Sequence, residues 1–165
     1  MTHQQTMERK IELFIAAMEQ FIRTLEGAHD ATRAPKQGGW NAAQIGWHVA
    51  KSNELLSGAL TGAVSMAQPV PPEFQEDPDI FSKVPAKIET FPQLEPPADV
   101  SAEAALADLR ASMGSTITAF RSLTEERARG HFIQFPMGPL TLYQFADFTV
   151  GHVSRHQQQL EQALK

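Results

Sequence analysis

Pro69, Pro71, Pro72, Pro78, Pro85, Pro92, Pro96 and Pro97 crowd one internal segment. No regular helix survives that density, because each proline removes an amide donor and collides with the turn before it. On either side the apolar residues recur at steps of three and four, so the chain reads as two helical pairs separated by a long proline-rich crossover. A connection of this length within a compact domain is expected either to be functional or to run along the body it connects. Phe74, Phe81, Ile88 and Phe91 are the residues expected to pack it down, and it is placed to form one wall of a pocket.

In the first helix, from about residue 4 to 26, Ile11, Phe14, Met18, Phe21 and Leu25 form the apolar stripe, while Glu8, Arg9, Glu19 and Arg23 lie on other faces. It ends near Gly27, and a linker containing Pro35, Gly38 and Gly39 follows. The second helix opens on Asn41 as cap, with Gln44 at the capping-box position and Trp40 with Ile45 as the hydrophobic staple. Its inward stripe reads Ile45, His48, Ser52, Leu55, Ala59. The third is expected to start at Ser101, to use Ala102, Leu106, Leu109, Met113, Thr116, Phe120 and Leu123, and to stop before Gly130. The connector HFIQFPMGPL reads as a short extended pass across one end. The last helix repeats the start of the second, with Thr141 as cap, Gln144 at the box position, and Leu140 with Phe145 as staple. At 165 residues the expected architecture is a single all-α domain spanning residues 1–165, a four-helix bundle.

The last helix carries the chemistry. Its inward seam runs Leu142, Phe145, Thr149, His152, His156, Gln159, Ala163, and four-residue spacing puts both imidazoles on one face, a turn apart. Chance alone yields roughly 0.2 such pairs among six histidines in a chain this long. The pair is thin support by itself, and a solitary His48 would most often be a hydrogen-bonded core residue. Three histidines on two interior seams argue further, because burying several imidazoles without partners costs stability. Three neutral imidazoles suit zinc, nickel, copper or iron and leave positions open for water and substrate. Val153, Ser154 and Arg155 separate the pair, so the glutamate of His-Glu-x-x-His proteases is absent. His3, His29 and His131 are read as surface residues, and Trp40, Trp47, Phe145 and Phe148 as packing residues.

Composition narrows the partners. Net charge is -5, from 14 basic and 19 acidic residues with no basic patch, which argues against nucleic acid. With no cysteine, thiolate ligands and a cysteine nucleophile are excluded. No stretch approaches the ~20 apolar residues of a membrane span, and a cytoplasmic protein is expected.

The segments WNAAQIGWHVA, GPLTLYQF and GHVSRHQQQL together resemble the DinB/YfiT-like metalloenzyme superfamily over nearly the whole chain. Trp40, His48, Gly138, Leu140, Thr141, His152 and His156 carry the resemblance. It implies an up-down-down-up bundle with a divalent metal, zinc or nickel foremost, held by His48, His152 and His156. It further implies frequent homodimers, and hydrolases or transferases that use low-molecular-weight thiols on small-molecule substrates. Arg155 and Gln159 are the candidates to orient substrate. The alternative is a catalytically silent metal-binding bundle serving as a stress-response or interaction module.

Overall fold

The computed structural model describes residues 1–85, 88 and 90–165. Four long helices dominate: α1 (His3–Glu26), α2 (Ala42–Thr61), α3 (Ala102–Ser122) and α5 (Leu142–Ala163), with a short α4 (Glu125–Gly130) between the last two. α2 lies chiefly along α3, and α1 along α5 and α3. Their shared interior is filled by Phe14, Phe21, Phe120 and Phe145, all fully buried, with Phe14 and Phe120 ring to ring at 5.8 Å. At Gly46 an added Cβ would come within 2.8 Å of Leu25 Cδ2 and 3.3 Å of Ala105 Cβ. The bare backbone there brings the helix that carries His48 close against its neighbours.

Side chains fix the helix starts. α1 begins one residue earlier than the periodicity suggested, because Thr2 and Gln5 form a capping box, Thr2 Oγ1 accepting from Gln5 N at 3.1 Å. Asn41 with Gln44 and Thr141 with Gln144 form two further boxes, which open α2 and α5. α2 ends where Gly62 turns left-handed, φ 89°, and Arg127 Nε donates to the Leu60 carbonyl at 2.9 Å, satisfying one of the carbonyls a helix end leaves open. The third helix stops before Gly130, as its stripe predicts. It stops at Leu123, where the backbone extends, and Thr124 caps α4 by accepting from Arg127 N.

The expectation of an all-α chain needs correction. His131–Phe135 (β2) and Gly138–Thr141 (β3) form an antiparallel hairpin, and Gln68–Pro69 (β1) adds a third strand beside β2. Phe135 pairs with Gly138, so Pro136 and Met137 alone make the turn. Pro136 suits its first central position, and no non-glycine among the described residues has positive φ, which excludes the primed turns there. Ile133 and Leu140 face each other, buried, beneath the bundle end.

The connection from α2 to α3 is fastened by polar bonds as well as by packing. Gln44 Nε2 donates to the Pro97 carbonyl at 3.1 Å, and Gln144 Nε2 to the Asp77 carbonyl at 2.7 Å. Thr141 Oγ1 donates to the Glu76 carboxylate at 2.5 Å. Phe74 stacks on Phe132 with centroids 5.8 Å apart, but Phe81 and Phe91 stay 39% and 46% exposed, and the buried anchor is Ile80. Ile88 is half-buried. Beside β1, two 3-10 turns, Ile80–Lys83 and Pro92–Leu94, are regular pieces of this connection among the described residues.

Candidate metal centre

α2 contributes His48, and α5 contributes His152 and His156 one turn apart. One ring nitrogen from each lies within 4.8 Å of the others, and no carboxylate joins this group among the described residues. His48 is 3% exposed, while the α5 pair is half-buried, because the inward seam of α5 drifts. Beyond Thr149 the buried positions are Val153, Gln157, Leu160 and Ala163. The pair therefore sits on the flank of that seam, and Gln159 is exposed rather than inward. On α2 the seam likewise takes Leu56 where the spacing pointed to Leu55, which is half-buried.

Hydrogen bonds fix the tautomers, two of them against oxygens that can only accept. A carbonyl oxygen can only accept, so the Nδ1–H of His48 donates to Leu94 O at 2.8 Å, leaving a lone pair on Nε2. In the same way His156 Nδ1–H donates to Gln159 Oε1 at 2.6 Å, which frees its Nε2. That nitrogen carries a lone pair, so at 3.1 Å it accepts from His152 Nε2–H, while His152 Nδ1 is buried without a partner. Trp40 lies against His48 at 4.8 Å between centroids, and Phe148 against His152 at 6.0 Å, so both indole and phenyl border the cluster.

All three imidazoles are held neutral. Burial lowers His152 well below the usual histidine value, assisted by His156, His48 and Arg155. Burial first, then His48, brings His156 to about 4 although the Gln159 bond opposes the shift. His48 is lowered by burial and Arg155 against the raising effect of the Leu94 bond. Neutral imidazoles with unshared pairs are the form a metal ion takes. Two nitrogens bound to one tetrahedral zinc at 2.0 to 2.1 Å stand about 3.3 Å apart, close to the separation of the α5 pair. By donor type and protonation the three residues fit a divalent cation, and the α5 pair fits it by spacing as well.

Arg155 is exposed, and its charge reaches all three imidazoles. With His156, Gln158, Gln159 and Gln162 it lines an open cleft of about 410 Å³ on the outer side of the cluster. Sequence spacing missed the Leu94 carbonyl, which no local pattern could place beside His48. Ser52, 3.5 Å from His48 Nε2, stood one turn along the same stripe and was findable. Two histidines read as surface residues are half-buried. His3 accepts from the Tyr143 hydroxyl at Nδ1 and donates from Nε2 to Leu123 O at 2.7 Å, tying α1 to the ends of α3 and α5. His131 hides an unpartnered Nδ1 at the start of β2, and only His29 is exposed.

Four long helices and a neutral three-histidine cluster between two of them define a helical-bundle protein built to the pattern of a metal centre. The chain belongs to the DinB superfamily, whose family model matches residues 10–160. The structure of YfiT from Bacillus subtilis, described as a probable metal-dependent hydrolase with an unusual four-helix bundle topology, superposes with a TM-score of 0.67. At 16% identity the match covers 99% of this chain and 87% of that one, and it shows a shared fold. No curated protein matches this chain in sequence. No helix among the described residues is long and apolar enough to cross a membrane.

Proposed function

We propose that this protein is a metal-dependent enzyme, a hydrolase or a low-molecular-weight-thiol S-transferase, acting on a small-molecule substrate through a divalent ion held by His48, His152 and His156. Zinc and nickel suit the all-imidazole set best. The observation that carries the reading is the convergence of three neutral imidazoles, two with tautomers fixed so that Nε2 carries a lone pair into the cluster. The likeness to YfiT supports the hydrolase branch. A bound ion of this kind would bring the pKa of water or a thiol down toward ~7 and so supply the nucleophile. This matters here because no carboxylate stands in the cluster to act as base. The Leu94 carbonyl and Trp40 hold the His48 ring, and the burial of His48 and Phe145 limits water on the protein side. Arg155 and Gln159, on the cleft, are assigned to an anionic or amide portion of the substrate. The helices are read as up-down-down-up with residues 67–100 as the crossover, and the protein as a cytoplasmic homodimer. The exposed Phe81 and Phe91 supply apolar contact surface for that dimer, and they equally favour the second reading, a silent metal-binding interaction module.

Metal analysis of the protein purified without a histidine tag, beside His156→Ala, tests the site. About one ion per chain is expected in the wild type and a sharp loss in the variant, with the fold retained because the core lies on the helices. Equal and negligible metal in both would leave a cluster of packing histidines. Hydrolase and thiol-transfer assays on the loaded protein then separate enzyme from module.

A further inference from the structure

The three imidazoles differ in what holds their outer nitrogens. His48 Nδ1 is bonded to a backbone carbonyl, His156 Nδ1 to the Gln159 side chain, and His152 Nδ1, buried, to nothing. Gln159 follows His156 by three residues, the spacing at which helical side chains meet, and it is otherwise an exposed surface residue. We propose that Gln159 is a positioning residue of the metal centre: its amide oxygen keeps the proton of His156 on Nδ1, so that Nε2 presents a lone pair toward His48 and His152. This rests on the three-histidine metal reading.

Chemistry explains why a side-chain oxygen is needed at an accessible edge. Water donates and accepts equally well, so a solvated Nδ1 would leave the two tautomers of His156 in exchange. An amide oxygen cannot donate, and it selects the form with Nδ1–H. The reversed amide would donate its NH₂ to Nδ1 and drive the proton onto Nε2, 3.1 Å from His152 Nε2, where it would abolish a ligand. Outer partners of this kind typically change metal affinity 10–100-fold. Gln159 thereby does for His156 what the crossover carbonyl does for His48.

The test uses the whole chain, stripped of metal and titrated with zinc against a chromogenic chelator. Gln159→Leu is expected to bind 10–100-fold more weakly than wild type. Gln159→Glu, an acceptor at both oxygens, is expected to restore binding. Gln158→Glu adds the same charge one position away and separates charge from hydrogen bonding, and its affinity is expected to stay near wild type. The metal-free proteins should melt together, because Gln159 is exposed. Gln159→Leu within twofold of wild type, or Gln159→Glu as weak as Gln159→Leu, would overturn the assignment. Wild type that binds no zinc would overturn the metal reading beneath it, which the variants alone cannot do.

Discussion

Acidification should destabilise the metal-free protein through its three-histidine cluster. His156 has an ordinary value of 6.5 and lies at about 4 in the fold, so between these limits the unfolded chain binds a proton that the folded one refuses. Stability must therefore rise with pH across that window: it is intact above ~6.5 and drains away as pH falls toward 4. From pH 7 to pH 5 this one residue costs about 2 kcal/mol. His48 and His152 are lowered in the same direction and deepen the loss. Against a domain stability of ~5–15 kcal/mol that is a large share. Asp77, lowered by its hydrogen bond to Lys83 from a value of 3.8, titrates below this range and does not blur it. Urea denaturation with chelator present, at pH 7 and pH 5, on wild type and His156→Gln, reads the difference. The wild type should lose about 2 kcal/mol more than the variant over that interval. If both lose the same amount, the imidazole is not buried in its neutral form and the electrostatic picture of the centre fails.

Two other outcomes follow from the packing. Thr141→Ala removes the cap of α5 and the bond to Glu76 together, and thermal melting should show a loss of about 1–2 kcal/mol. A smaller change would mean that the hairpin, not the cap, sets the start of that helix. For the assembly, sedimentation at micromolar concentration is expected to show a dimer, and a single 18.2 kDa species would remove that part of the proposal.

The helices were legible because their starts and stripes are local. Asn41, Gln44, Thr141 and Gln144 mark two starts by themselves, and Ile11 through Leu25 trace one buried face without reference to any partner. The histidine spacing was legible for the same reason. The short α4 was hidden because six residues, with Ala128 alone buried, are too few to show a stripe. The connector 131–140 was legible as extended but its pairing was not: strands gain their stability from partners, and the outer partner of β2, Gln68–Pro69, lies some sixty residues away in a proline-rich stretch. The drift of α5 reflects geometry: alternating steps of three and four average 3.5 and fall short of a 3.6-residue turn, so His152 and His156 slip off the seam, which runs on from Thr149 by steps of four to Val153 and Gln157 and then to Leu160. Leu94 could not be foreseen at all, since a backbone oxygen has no letter of its own.

At the third position of a capping box glutamate and glutamine are ordinarily interchangeable, since the cap needs only an oxygen from either. Gln44 and Gln144 are not free in this way. Each spends its oxygen on the helix start and its NH₂ on a carbonyl of the α2–α3 connection, at Pro97 and at Asp77. A carboxylate would close the same box and then confront a carbonyl oxygen at about 3 Å with no proton to offer. The single choice of amide over acid, at two helix starts, thus writes a long-range instruction into what reads as purely local spelling.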